Sequence, residues 1–313
     1  MNRTTANLLL LFAGLIWGGG FVAQQTAMDD IGPFAFMTMR FALAGLAVVP
    51  FAMWEARRPS ARRISRKTWR NATAVGLFFF AAMALQQVGI LGTTVTNAGI
   101  LTGLYVVLTP IMLRLLLGEV QQWIIWPCAL TAFIGIYLLG GGSLDGLTWG
   151  DGVMIGCAIF AAAHVIAMDR AVTGADRPAA VALVQFVVSS GLSAVGFVLV
   201  RSLNWWAEPE LSSATIAAAA PEIIYAALLA GALAFTLMAV CQQYTRPADA
   251  AVLLSSEALF AALGGALLLG ERLTVIGYLG CALVFAAIVT VSVVSARLED
   301  LQARAAKGAE ISP

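Results

Sequence analysis

The pentapeptide Leu-Leu-Leu-Gly-Glu stands twice in this chain, at Leu115 to Glu119 and at Leu267 to Glu271, each time closing a long apolar run. Upstream the match continues at an offset of 152, with Asn97-Ala98-Gly99-Ile100-Leu101 over Asp249-Ala250-Ala251-Val252-Leu253. Downstream the offset is 153, with Cys128-Ala129-Leu130 over Cys281-Ala282-Leu283. Three ordered matches nearly half a chain apart mark an internal duplication, so the fold must be assembled from two similar units.

What kind of unit follows from polarity. With 60% hydrophobic residues, 11% charged residues and a mean hydropathy of +0.89, the chain cannot cover itself with polar surface in water, which makes it an integral membrane protein. A hydrocarbon core about 30 Å thick takes roughly 20 apolar residues per helix. Ten such stretches are present: 6–24, 33–54, 69–91, 95–117, 121–141, 150–168, 178–201, 220–243, 248–269 and 273–296. Barrel strands are about 10 residues long and alternate in polarity, which these runs do not, so the predicted fold is all-α with ten transmembrane helices. The first stretch follows Arg3 as a signal peptide would, but it lacks small residues at a cleavage position and is read as a retained helix.

Basic residues orient the helices, because positive charge stays on the cytoplasmic side during insertion. Fifteen of the eighteen fall on one side: Arg3, Arg57, Arg58, Arg62, Arg63, Arg66, Lys67, Arg70, Arg114, Arg170, Arg177, Arg246, Arg297, Arg304 and Lys307. Arg201 and Arg272 fall opposite, and Arg40 is inside a helix. Both termini are therefore expected in the cytoplasm of a bacterial inner membrane. The basic loop 57–70 is read as topogenic charge beside anionic headgroups, without a nucleic-acid partner.

Five helices per half is an odd number, so the second copy enters the membrane from the side opposite the first. The predicted units are residues 1–145 and an inverted 146–298, followed by a cytoplasmic tail at 299–313. A second paired mark is Gln86-Gln87 in helix three and Gln242-Gln243 in helix eight. Inverted repeats with a site at their midplane interface are a transporter design, in which rocking one half against the other alternates access.

The chain resembles the drug/metabolite transporter superfamily in its EamA branch. The resemblance is carried by Leu15-Ile16-Trp17-Gly18, Met39-Arg40-Phe41, Leu108-Thr109-Pro110 with Leu117-Gly118-Glu119, and Leu269-Gly270-Glu271-Arg272, in this order across nearly the whole chain. Within that branch it is similar to bacterial exporters of aromatic and other apolar amino acids. The resemblance implies export. The family often carries Glu-Pro in helix nine, where this chain has Glu257-Ala258, so the bend of helix nine is left open.

Polar groups at membrane depth mark the candidate substrate site: Trp17, Gln86, Gln87, Tyr105, His164, Ser256 and Glu257. Trp17 stands alone in mid-helix, its seven counterparts lying at span ends or loops; the glycines at 18–20 beside it either open room for a ligand or permit close helix packing. Glu257 costs on the order of 3 kcal/mol near a helix centre unless it faces water or a partner. It either meets a substrate amine, carries a proton, or forms a buried ion pair with Arg40. His164, the single histidine, binds substrate, relays protons or hydrogen-bonds a carbonyl. The glutamines either meet a compact polar head or hold two helices together at roughly 0.6 kcal/mol per bond.

Glu119 and Glu271 are read as gate or capping groups. Cys128, Cys157, Cys241 and Cys281 lie within spans with neither disulfide nor metal spacing, and no cofactor is implied. Helices five and ten, poor in polar residues, are read as scaffold or homodimer contacts. Hydrolytic motifs are absent from the sequence, which speaks against an intramembrane enzyme. A passive channel would favour rings of like residues over two inverted halves. The expected partners are a small-molecule substrate and membrane lipid.

Overall fold

A computed structural model describes residues 1–58, 64–93, 95–142, 148–173, 177–204, 209–260, 274–295 and 297. Among them the fold is helical throughout, without strands. Seven helical stretches are long and apolar enough to cross a membrane, and Ile125–Leu139 is a shorter apolar helix.

In chain order the elements are α1 (Arg3–Gly18), α2 (Gly20–Asp30), α3 (Pro33–Ala56), α4 (Arg66–Ile90), α5 (Val95–Gly103), α6 (Tyr105–Leu117), α7 (Ile125–Leu139), α8 (Trp149–Val172) and α9 (Pro178–Leu203). The short α10 (Ser213–Ala218) and α11 (Ala220–Ile224) lead into a π-helical segment, Tyr225–Leu233, and α12 (Ala234–Cys241). Then come α13 (Pro247–Leu254), α14 (described from 256 to 260) and α15 (Val275–Thr290).

Local chemistry starts these helices. Asn2, Ser65 and Thr274 accept the backbone N–H groups of Thr5, Thr68 and Gly277, and Thr148 forms a reciprocal capping box with Asp151. Proline occupies the first turn of α3, α9 and α13, where its missing N–H has no partner to lose.

The first pentapeptide ends α6 by backbone geometry. Gly118 takes φ 69° and donates to Leu113 O, a left-handed cap that a Cβ would penalise. The following Glu119 pairs with Arg170 on the last turn of α8, rather than with Arg114 on its own helix. The second pentapeptide, with Glu271 and Arg272, lies outside the described residues, as do Trp205, Trp206 and the tail. Trp54, Trp69, Trp123, Trp126 and Trp149 are exposed at helix ends, the placement that a headgroup belt requires.

Three stretches that read as continuous in sequence are broken. The first splits at Gly19, where Tyr225 Oη donates to Ile16 O at 2.6 Å and occupies the space a Cβ would need. The fourth splits at Leu104, between α5 and α6. The ninth splits at Ser255, whose hydroxyl donates back to Val252 O at 2.6 Å. The ninth stretch is therefore interrupted without a proline, at a serine that back-bonds to its own helix.

Packing follows the duplication. α4 lies on α8, and α12 on α1; α3 packs on α9 and α7 on α15. Exchanging the halves carries the first pair onto the second and leaves the other two in place. At the α7–α15 seam the backbones touch, since a Cβ at Gly135 would stand 2.9 Å from Gly280 O and one at Gly280 would stand 2.6 Å from Gly135 O.

Candidate functional site

A cavity lies between the halves, lined from seven of the spanning stretches. Its walls come from α1, α2, α3, α4, α5, α6, α8, the π segment, α12, α13 and α14, and none from α7 or α15. Its volume is about 100 Å³, whereas a single water needs about 10–15 Å³, so it is a binding-sized space rather than a packing fault.

One wall is aromatic. Trp17 lies 4.5 Å from Phe235 between ring centroids, Phe79 lies 4.6 Å from Phe235, and Phe41 lies 4.9 Å from Phe79. Such tilted and edge-on pairs contribute roughly 0.5–1.5 kcal/mol each beyond their burial. Trp17 is held by its indole N–H, which donates to Ala230 O at 2.9 Å in the π segment, so it both packs and faces the cavity.

The breaks in the fourth and ninth stretches place the polar residues. Tyr105 opens α6 just after Leu104, and Glu257 lies two residues after Ser255; at the repeat offset of 152 Tyr105 and Glu257 are equivalent, and both line the cavity. Glu257 makes no hydrogen bond or ion pair with any described residue. Gln86 also lines the space and reaches Thr102 Oγ1 at 3.5 Å.

His164 presents its ring to the same cavity, 5.1 Å from Phe79. Its Nε2 lies within hydrogen-bonding distance of Gln185 Oε1 on α9, at 3.0 Å. The partner is a buried side-chain amide, not a backbone carbonyl.

Arg40 is only 5% exposed and stands on the cavity wall, seven residues into α3 or roughly 10 Å along the helix axis. Nη1 donates to Gln24 Oε1 at 3.0 Å and Nη2 meets Met83 Sδ at 3.2 Å, while Nε is buried without a partner. The guanidinium carbon lies 4.4 Å from the Phe41 ring centroid and 5.3 Å from that of Phe36. Holding a charge at membrane depth costs about 3 kcal/mol, and a cation–π contact returns about 0.5–2 kcal/mol. The rings position the cation without neutralising it. The alternative in which Arg40 and Glu257 form an ion pair is not the one observed: the two line one cavity, but Gln24 and Met83 hold the guanidinium.

Two other expected site residues stand off the cavity. Gln87 is fully buried and donates from Nε2 to Gln24 O at 3.3 Å, a strap from α4 to α2. Ser256 faces α1, where a Cβ on Gly14 would stand 2.2 Å from its Oγ. Gln242 and Gln243 likewise tie α12 and its end to α8, donating to Val165 O and Val172 O at 3.1 Å each. Of the glutamine marks shared by the two halves, Gln87 thus fastens the third stretch to the first, and Gln242 and Gln243 fasten the eighth to the sixth.

Sequence reasoning overlooked Gln24, Thr102, Met83 and the phenylalanines of the wall. Gln24 carried a legible signal, since Gln24-Gln25 is one more adjacent glutamine pair at the end of an apolar stretch. Glu55 was also missed: it is buried at the end of α3 and accepts the N–H groups of Ala179 and Ala180 at 3.1 and 3.2 Å, capping α9.

Comparison with known proteins gives this arrangement a family. An uncharacterized transporter of Archaeoglobus fulgidus is 33% identical over 293 residues, covering 93% of this chain and 87% of the relative. The uncharacterized transporter YwfM of Bacillus subtilis is 27% identical over 304 residues, covering 93% and 95%. A solved crystal structure superposes with a TM-score of 0.73 at 17% identity, covering 95% of this chain and 99% of the other, which shows a shared fold. The EamA-like transporter family matches twice, over residues 4–141 and again over 148–293. A helical membrane chain with a cavity between two such repeats is a transporter, and it belongs to the EamA-like transporter family.

Proposed function

We propose that the protein exports small amphipathic metabolites, with aromatic and other apolar amino acids as the first class, by alternating access across a bacterial inner membrane. The observation that carries this reading is the two-faced cavity. Trp17, Phe41, Phe79 and Phe235 offer an apolar wall, and Arg40, Gln86, Tyr105, His164 and Glu257 offer polar groups beside it. A cargo with one apolar and one polar end fits such a lining.

The reading takes the chain as ten spans in two inverted five-helix units with both termini in the cytoplasm. Exchange symmetry in the packing and the one-sided distribution of basic residues support it. The outward direction rests on the family resemblance.

A counterflow assay in proteoliposomes tests the proposal. Labelled phenylalanine or leucine should accumulate when unlabelled substrate is loaded inside. Linear, non-saturating flux without trans-stimulation would remove alternating access, and indifference to every amino acid in an efflux panel would remove the substrate class.

A further inference from the structure

We infer that Arg40 is the receptor for a negatively charged group on the transported molecule, so that the cargo carries a carboxylate or a similarly compact anion; this rests on the transport reading above. The guanidinium has five N–H donors and needs acceptors in a fixed plane. The protein supplies one amide oxygen, Gln24 Oε1, and one weak acceptor, Met83 Sδ. Nε has no partner, and no described carboxylate forms an ion pair with Arg40.

The carboxyl group in the same cavity does not pair with it. Glu257 lines the space and pairs with nothing described. Arg40 is held on its own side by Gln24 and by the rings of Phe36 and Phe41. The cavity thus keeps a guanidinium and a carboxyl group apart, beside an aromatic wall. A carboxylate from the cargo would give Arg40 the charge-assisted hydrogen bonds that the protein withholds. An ammonium on the same molecule would go to Glu257. A cargo bearing only positive charge would meet Glu257 at the expense of repulsion from Arg40.

Binding to the full-length protein in lipid nanodiscs tests this with three probes of one size. These are L-phenylalanine, 3-phenylpropionate, which lacks the ammonium, and 2-phenylethylamine, which lacks the carboxylate. Phenylethylamine should bind at least about tenfold more weakly than phenylalanine, the loss expected when hydrogen bonds to a charged group go unmade.

The informative variant is Gln24→Glu, which sets a carboxylate of the protein where Oε1 now meets Nη1. It should fold, weaken both carboxylate probes by about tenfold or more, and leave phenylethylamine unchanged or tighter. A purely structural Arg40 would show the same folding with no change in probe preference. Arg40→Gln should lose carboxylate preference in the same way, and Gln24→Glu keeps the test available if that variant does not fold.

The inference is overturned if phenylethylamine binds the native protein as tightly as the tighter of the two carboxylate probes, if Gln24→Glu leaves carboxylate binding intact, or if no carboxylate probe binds. If phenylpropionate binds through Arg40 and phenylalanine does not, the amino-acid reading fails and the anion receptor stands. If phenylalanine shows counterflow that ignores Gln24→Glu, transport stands and the receptor fails.

Discussion

Arg3 on the first turn of α1 pairs with Asp249 on the first turn of α13, joining the two halves at one end of the molecule. Exchanging the halves sends α1 to α8 and α13 to α5. There Asp151, on the first turn of α8, takes a hydrogen bond from the Thr93 hydroxyl just ahead of α5. The same junction is therefore closed by an ion pair at one end and by a neutral donor at the other.

The ion pair is the stronger fastening because both side chains are largely buried, at 15% and 5% exposure. Arg3→Ala or Asp249→Ala should each lower stability by about 3 kcal/mol, since the remaining buried charge loses this ion pair. Thermal unfolding in nanodiscs measures this. The exchanged pair, Arg3→Asp with Asp249→Arg, should regain most of the loss; a swap as unstable as the single variants would show that charge pairing is not the cause.

Glu55 fastens α3 to α9, a pair that sits on the exchange axis. Its two oxygens accept the first free N–H groups of α9, where the helix dipole also favours a negative charge. Glu55→Ala should cost about 1–2 kcal/mol, with Glu55→Gln intermediate because it keeps one acceptor. Equal melting temperatures for the native protein and Glu55→Ala would refute the capping role.

Gln86 and Gln87 are adjacent yet serve different ends. Gln87→Leu removes a helix–helix strap and should cost roughly 0.6 kcal/mol while leaving the substrate profile unchanged. Gln86→Leu alters the cavity wall and should change transport selectivity with little effect on folding. Uptake competition across an amino-acid panel separates the two, and the reverse pattern would exchange their roles.

Glu257→Gln should remove any proton dependence of transport while leaving membrane insertion intact. The substitution keeps size and polarity and deletes the one carboxylate among the described cavity residues. Flux measured against pH is expected to flatten; a pH profile identical to that of the native protein would assign proton movement elsewhere or nowhere.

Much of this was legible because burying polarity in a membrane is costly. Arg40, Gln86, Tyr105, His164 and Glu257 stood out as polar groups inside apolar stretches, and all five line the cavity. Gln87 and Ser256 stood out equally, but each is one residue away from a lining group, and one residue turns a helix by about 100°. Rotation is invisible to a polarity scan. Phe41, Phe79 and Phe235 were hidden for the opposite reason, since a phenylalanine facing cargo and one facing lipid contribute equally to the apolar average. The breaks at Gly19, Leu104 and Ser255 escaped because a one-residue interruption leaves that average unchanged.

The paired breaks at Leu104 and Ser255 also bear on how such a chain diversifies. Both copies carry an interruption there, but a phenol, Tyr105, follows one and a carboxylate, Glu257, follows the other. At the repeat offset the two interruptions fall within one residue of each other, while the residues that make them and the residues that follow them differ. A lineage of such proteins can therefore acquire new cargoes by point substitution at two or three lining positions, without inventing new joints.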